Sequence, residues 1–169
     1  MFQKGDLIIY GNTGVCRVDD IVLLDNLPNI DTEKLCYQLS SVYSKETIYI
    51  PTDTTVFMRP VLSKTEALAL IDKIPSIPED DTSIGNQRLR SEHYRTFFQS
   101  HQCEDLVCII KSIYHKTQQR TDSGRRPDRT DQQYLKQAEE LLHGELAISL
   151  DIPYDDVPEY IKNHVAAAM

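Results

Sequence analysis

The sequence predicts an α+β protein in which a five-stranded β-barrel, residues 1–59, is followed by an all-α helical domain, residues 60–169. Three observations support this prediction. Short runs of alternating apolar and polar residues, separated by turn-forming residues, fill the first third of the chain. At Pro60 the apolar period changes from about two to about 3.6, and a helix-starting motif follows directly.

Five short strands are predicted for the barrel. The first, Asp6–Tyr10, is stopped by Gly11–Gly14, whose residues suit a tight turn. The others are Val15–Leu24, Lys34–Val42, Thr47–Ile50 and Val56–Arg59. Asp25–Asn29 breaks the chain after the second strand, and Pro51 ends the fourth because proline has no N–H to donate. Short strands joined by tight turns indicate a small barrel of the SH3 or Tudor type.

Helices are predicted for the rest of the chain. Ser63 and Glu66 have the spacing of a capping box, and the helix that they start ends before Pro75. Further helices are predicted over residues 86–99, over 104–118, from a second capping box at Thr130–Gln133, and over 157–165. A proline-rich linker, residues 75–83, and a basic loop, residues 120–129, separate them. The predicted helical core consists of Ile109, Ile110, Ile113, Leu135, Ala138 and Leu142.

The distribution of charge is uneven. The net charge of −8 disfavours nucleic-acid binding when taken alone. Between Gly85 and Thr130, however, nine lysines and arginines face five acids, which gives this segment a net charge of +4. From Asp131 onward two lysines face eight acids. A basic surface for phosphate and an ordinary solvated helix face both fit this pattern.

Several classes of protein are disfavoured. No apolar run is long enough to cross a bilayer, and the first residues do not resemble a signal peptide, so a cytoplasmic protein is expected. The four cysteines form no CxxC pair, so neither a disulfide nor a metal site is expected. No nucleotide-binding or catalytic motif occurs, which predicts no enzymatic activity, no cofactor and no small-molecule substrate.

Four tyrosines in the predicted barrel permit a second interpretation. Tyr10, Tyr37, Tyr43 and Tyr49 could form an aromatic cage of the kind that binds methylated cations. Tyrosines in strands more commonly pack in the core or along its rim. Both interpretations of these side chains remain open at this point.

Several motifs resemble those of one family. They are Phe2–Asp6, Ile9-Tyr10-Gly11, Gly14-Val15-Cys16, Thr47–Pro51 and the Leu141–Ala147 stretch that contains Gly-Glu-Leu. In this order they resemble the CarD/CdnL family of bacterial RNA polymerase-binding transcription regulators, over residues 1 to about 150. That family shares its N-terminal module with transcription-repair coupling factor. The resemblance implies a Tudor-like module that pairs strand edges with the polymerase β subunit, and a helical domain that contacts promoter DNA and stabilises the open complex.

The chain departs from the family pattern at positions that matter for these contacts. Family members carry a tryptophan that wedges into the minor groove, whereas Gln87 stands at the matching position and the chain has no tryptophan. Two DNA-contacting lysines of the family match Glu92 and Gln132, and an arginine that contacts polymerase matches Tyr49. DNA contact is therefore expected to be weak and largely non-specific.

Together these features predict a regulator of transcription initiation that binds the RNA polymerase β subunit and modulates open-complex stability near promoter DNA. The expected polymerase-binding residues are Thr47, Ile48, Tyr49, Ile50 and Pro51. The expected DNA-binding residues are Arg88, Leu89, Arg90, Lys111, Arg125 and Arg126. Leu89 is considered both as a smaller wedge and as a core anchor. The alternative is an adaptor that docks on polymerase without touching DNA, and a nucleic-acid enzyme would need a catalytic site that the sequence does not display.

Overall fold

A computed structural model describes residues 1–23, 35–80 and 85–168. The chain forms two compact units, Met1–Val61 and Leu62–Met169. The described residues of the first unit form five β-strands: β1 Leu7–Tyr10, β2 Gly14–Leu23, β3 Leu35–Ser41, β4 Thr47–Pro51 and β5 Met58–Pro60. Those of the second form five α-helices: α1 Lys64–Lys73, α2 Gln87–Gln99, α3 Cys103–Asp122, α4 Arg129–Leu150 and α5 Val157–Ala168. The α+β class is therefore as predicted.

The strands form one antiparallel sheet in the order β4-β3-β2-β1-β5. The tight turn between β1 and β2 ends at Gly14, whose φ of +97° is a backbone conformation that side chains disfavour. A bulge between Val18 and Asp20 shifts the register of β2 against β3. One face of the sheet carries the core residues Ile8, Cys16, Val18, Tyr37, Leu39 and Ile50.

The expected closed barrel is wrong for the described residues, where the sheet is open and β4 and β5 form its two edges. Closure would require β5 to pair on both sides. It has three residues rather than the predicted Val56–Arg59, it pairs with β1, and it ends at Pro60, which has no N–H. The predicted break at Asp25–Asn29 lies outside the described residues.

Helix starts follow from side-chain caps, in one case as predicted. Ser63 Oγ accepts the Glu66 N–H at 3.1 Å, and Glu66 Oε1 accepts the Ser63 N–H at 3.1 Å, so the first capping box is confirmed. The second, at Thr130–Gln133, is wrong. α4 begins at Arg129, and Asp128 is its cap because its carboxylate accepts the Asp131 N–H at 3.0 Å.

Residues 75–80, which the structure describes within the predicted linker between α1 and α2, pack on the helices. Residues Ile74–Ser76 form a 3-10 turn. Lys111 Nζ donates to the carbonyl oxygens of Ile74, at 2.9 Å, and Ile77, at 2.6 Å. Ser112 Oγ accepts the Asp80 N–H at 2.7 Å, and the Asp80 carboxylate also pairs with His93. Polar side chains of α2 and α3 thus hold this segment in place.

The helical core has the predicted composition with one exception. Ile109, Ile113, Leu135, Ala138 and Leu142 are buried in one cluster. Ile110 packs on the cluster but is only partly buried, so its predicted place in the centre of the core is wrong. α3 continues to Asp122, beyond the predicted end at Gln118, and its inward face therefore passes through Ile109 and Ile113. None of the helices in the described parts of the chain combines the length and apolar character needed to cross a membrane.

Two isoleucines one turn apart on α3 provide a test of this packing. Ile113 is fully buried, so Ile113→Ala should lower the unfolding free energy by about 2–4 kcal/mol. Ile110→Ala should cost less, because part of that side chain already lies in water. Urea unfolding followed by helical circular dichroism measures both. Equal losses, or a larger loss for Ile110→Ala, would show that the buried face of α3 has been assigned incorrectly.

Candidate functional site

The edge strand β4 pairs with β3 on one side and, among the described residues, with no strand on the other. In this pairing, Leu39 lies opposite Ile48 and Tyr37 lies opposite Ile50. The hydrogen bonds at both ends of the ladder show which pairs of opposite residues are hydrogen-bonded to each other. The Ser41 N–H donates to the Glu46 carbonyl and the Thr52 N–H donates to the Leu35 carbonyl, each at 3.0 Å.

The positions of the hydrogen-bonded pairs determine which peptide groups of β4 face away from β3. Bonded pairs in an antiparallel ladder recur at every second residue, so the main chain of Ile48 and Ile50 faces β3. The N–H and C=O groups of Thr47 and Tyr49 therefore point to the free edge. Pro51 has no N–H, and its carbonyl already accepts the Thr54 N–H at 3.0 Å. The edge consequently offers two donors and two acceptors to an added strand.

The side chains of β4 alternate between the two faces of the sheet. Ile50 is buried and Ile48 is half-buried on the core face, whereas Thr47 and Tyr49 are exposed. Tyr49 keeps 51% of its surface exposed. A strand that docks on this edge would meet the main chain of Tyr49 and could also contact its ring.

The aromatic-cage interpretation does not fit the sheet. Tyr37 is 3% exposed, and its hydroxyl accepts the Phe2 N–H at 3.1 Å. Tyr10 packs partly against the same core. Tyr43 and Tyr49 are exposed. With Tyr37 in the core, the four rings do not line a common site.

In the helical unit, α2 and α4 start side by side and run parallel. Gln87 Nε2 donates to Thr130 Oγ1 at 2.9 Å at the two starts. One to two turns later the rings of Tyr94 and Tyr134 lie edge-to-face with centroids 5.2 Å apart. The arrangement brings Arg88, near the start of α2, to the same end of the unit as the arginine-rich segment that precedes α4.

A buried ion network holds the two starts together. The Arg90 guanidinium contacts both carboxylate oxygens of Asp128 at 3.0 Å, and its Nε lies 3.2 Å from Asp131 Oδ1. Asp131, which is 1% exposed, also pairs with Lys116 Nζ at 2.9 Å and accepts the Tyr94 hydroxyl at 2.8 Å. Two cations and two anions thus neutralise each other, which offsets the cost of burying them.

The pKa values of Asp128 and Tyr94 are shifted by their places in this network. Burial alone would raise the pKa of Asp128, but the hydrogen bond from the Asp131 amide and the charges of Arg90 and Lys116 outweigh burial, and the pKa lies below its ordinary value. Burial, followed by the hydrogen bond to Asp131, raises the pKa of Tyr94 above its ordinary value. Asp128 is therefore an anion and Tyr94 a neutral donor at physiological pH.

The six residues expected to contact DNA are placed differently from one another. Arg90 is 7% exposed within the ion network, and Lys111 is bonded to two carbonyl groups, so neither is available to a phosphate. The Arg88 side chain is 83% exposed and makes a surface ion pair with Glu92 at 3.8 Å, and Arg125 and Arg126 are also exposed. Leu89 is 50% exposed and is therefore not a core anchor. In the parts of the chain that the structure describes, no three His, Cys, Asp or Glu side chains are arranged to hold a metal.

Comparison with known families bears on the first unit. Residues 2–62 match the model of the CarD-like/TRCF RID domain. The N-terminal unit is a CarD-like/TRCF RID domain. The match includes all five strands of the sheet and ends at Leu62. No curated protein matches the chain significantly.

The RID domain is an RNA polymerase-interacting domain, and its presence implies a transcription-related role. The CarD-like family is a family of transcription factors and adaptors without catalytic activity. The resemblance found in the sequence is thus confirmed for the domain that carries most of its motifs.

The main site feature that the sequence analysis missed is the ion network. A signal for it was present: Arg90 falls on the same helical stripe as Tyr94 and Phe98, which are both buried. An arginine on a buried stripe requires a carboxylate partner. Asp128 and Asp131 were not singled out, because the helix start had been assigned to Thr130.

The lowered pKa of Asp128 predicts how acid affects the helical unit. A carboxyl group with a folded-state pKa below its unfolded value stabilises the fold above the unfolded pKa, and this contribution is lost as the pH falls through the folded value. Asp128→Asn should therefore cost about 1–3 kcal/mol at pH 7. The difference from wild type should shrink below about pH 4. Urea unfolding at several pH values measures both effects.

Glu159→Gln, which removes an exposed carboxylate from α5, serves as the control and should change stability by less than about 0.5 kcal/mol. A stability loss for Asp128→Asn that stays constant from neutral to acid pH would contradict the role assigned to the Asp128 charge.

Proposed function

We propose that this chain regulates transcription initiation by adding β4 of its RID domain to a strand of the RNA polymerase β subunit, with its helical unit close to promoter DNA. The observation that carries the proposal is the free main chain of Thr47 and Tyr49 on an edge strand of an RNA polymerase-interacting domain. Strand addition obtains affinity from main-chain hydrogen bonds and specificity from alternate side chains.

Each predicted polymerase-binding residue has a distinct part in this proposal. Thr47 and Tyr49 supply the outward N–H and C=O groups. Ile48 and Ile50 hold β4 to β3 and to the core, and thereby keep the edge straight. Pro51 has no N–H, so it limits the added strand to the length of β4.

The helical unit supports a second contact, with DNA. Arg88, Arg125 and Arg126 are exposed at the end where α2 and α4 start. Lysine and arginine contacts with phosphate release counterions and give affinity without sequence preference. Leu89 follows Arg88 and is half-exposed, and leucine is among the side chains that insert between base pairs in the minor groove. We assign Leu89 this smaller wedge in place of the family tryptophan.

The alternative function is an adaptor that docks on polymerase without DNA contact. The observations that favour it are the net charge of −8 and the internal use of Arg90 and Lys111, which leave fewer cations for phosphate than the sequence indicated. Modulation of the open complex would then arise through polymerase alone. The dependence of DNA affinity on salt distinguishes the two functions.

The edge proposal predicts that the main chain of Tyr49 matters more than its ring. Tyr49→Pro removes an outward N–H that no bond of this sheet uses, so it should weaken polymerase binding about tenfold or more with the sheet intact. Tyr49→Ala keeps the N–H and should weaken binding less. Ile48→Pro removes the N–H that faces β3 and should instead destabilise the sheet.

Biolayer interferometry with purified RNA polymerase measures the affinity, and circular dichroism checks the fold. The matched control is Tyr43→Ala, which removes an exposed ring outside β4 and should bind as wild type does. Wild-type affinity for Tyr49→Pro would exclude strand addition at this edge.

The DNA proposal predicts a weaker salt dependence when exposed arginines are removed. In the triple variant Arg88→Ala, Arg125→Ala and Arg126→Ala, the slope of log affinity against log salt for a forked promoter fragment should fall by roughly 0.9 for each phosphate that is no longer bound. Leu89→Ala should leave the slope unchanged and shorten the lifetime of the open complex. Lys136→Ala, which removes an exposed cation from the acidic segment that begins at Asp131, is the control.

An unchanged slope in the triple variant would exclude phosphate binding at this end of the helical unit and would favour the adaptor. A polymerase interaction that persists in the same variant is expected under both functions.

A further inference from the structure

A polar groove lies between α2 and α4 that the functions above do not use. It has a volume of about 330 Å³. Its lining consists of Gln87, Ser91 and Arg95 from α2 and Thr130, Gln133, Tyr134 and Gln137 from α4. A neighbouring hollow along the first turns of α2 shares Gln87, Ser91 and Arg95 with it and is also lined by Asn86, Arg88 and Glu92. The groove therefore opens toward the basic end of the helical unit.

Three side chains of this lining have unused hydrogen-bonding capacity. In the described part of the chain, the Arg95 guanidinium and the amides of Gln133 and Gln137 make no hydrogen bond or ion pair. The amide of Gln87 is held in place by its bond to Thr130. No carboxylate lines the α2–α4 groove. Donors and acceptors, together with one cation, thus converge on the same space.

One wall of the groove, the Tyr134 ring, is held in place by its packing. The Tyr134 ring packs against the Tyr94 ring, and its centroid lies 6.0 Å from that of Phe98. Tyr94 is in turn fixed by its hydrogen bond to Asp131. A wall that does not have to be ordered on binding reduces the entropic cost of holding a ligand.

We propose that this groove binds an unstacked base of single-stranded DNA, an inference that rests on the DNA contact proposed above. Glutamine amides and arginine guanidinium groups pair with the polar edges of bases. Those edges become accessible when bases are unpaired and splayed out of the strand. The strand's phosphates would lie toward Arg88 and the arginines that precede α4, which is the direction in which the groove opens.

The composition of the groove disfavours a peptide as its occupant. Grooves that bind peptides are lined largely by apolar and aromatic side chains that anchor the ligand. No aliphatic side chain lines this groove, and Tyr134 is its one aromatic ring. The polar lining instead matches a ligand whose recognised part is planar and hydrogen-bonding.

Binding of the full chain to a fluorescein-labelled single strand and to its duplex, at low ionic strength, tests the proposal. The double variant Gln133→Ala and Gln137→Ala should bind the single strand about fivefold or more weakly, as expected when one base is no longer recognised. Its affinity for the duplex should not change. Gln102→Ala removes an exposed amide before α3 and is the matched control. Equal melting temperatures establish that the variants are folded.

The outcomes distinguish base binding in the groove from phosphate binding by the exposed arginines. If the double variant binds the single strand as wild type does while the triple arginine variant is weakened, the groove proposal is overturned and the phosphate contact stands. If the wild type binds neither form of DNA at low ionic strength, both fail. If the double variant loses affinity for polymerase but not for the single strand, the groove holds a protein segment, and the base-binding proposal is wrong.

Discussion

The backbone of β4 can bond to only one neighbour from the described residues of this chain, and the proposed docking of the RID domain depends on that constraint. An edge strand leaves every second peptide group without a partner, and such groups pair readily with another chain. Here the unpaired groups belong to Thr47 and Tyr49, while Ile48 and Ile50 are committed to β3 and the core. The same alternation that builds the sheet therefore produces the edge that we propose as the docking site.

In the helical unit, burial determines which lysine and arginine side chains are accessible to a phosphate. Arg90 and Lys116 neutralise Asp128 and Asp131 beneath the paired starts of α2 and α4, and Lys111 holds the segment after α1. Arg88, Arg125 and Arg126 remain at the surface. The buried pairs hold the starts of α2 and α4 together, and thereby bring the exposed arginines and the polar groove to one end of the unit. Removal of the Asp128 carboxylate should therefore affect both stability and DNA binding.

Much of the fold could be predicted from local signals. The alternation in residues 1–59 identified the strands, and the Ser63–Glu66 spacing identified the start of α1. Where two nearby residues were both plausible helix caps, the local sequence did not identify the one that is used. Asp128 and Thr130 are both good caps, and the choice depended on Arg90, which lies far along the chain and pairs with Asp128. Closure of the sheet likewise depended on whether β5 could pair on two sides, which its local pattern does not encode.

The geometry of the candidate site was predictable to a similar depth. The composition of Thr47–Pro51 indicated an edge strand, but only the ladder bonds at Glu46 and Thr52 assign the outward groups to Thr47 and Tyr49. Arg88 and Arg90 are equivalent by charge, yet they lie on opposite sides of the helix surface, one in water and one in the ion network. Three-dimensional contacts were needed to tell them apart.

Residue-resolved amide hydrogen exchange of the chain, alone and bound to RNA polymerase, tests the edge most directly. In the free protein the Ile48 and Ile50 amides should exchange slowly and the Thr47 and Tyr49 amides quickly, since only the first pair is bonded within the sheet. On polymerase binding, Thr47 and Tyr49 should become protected while Ile48 and Ile50 change little. Thr47 and Tyr49 amides that still exchange quickly in the complex would contradict strand addition at β4.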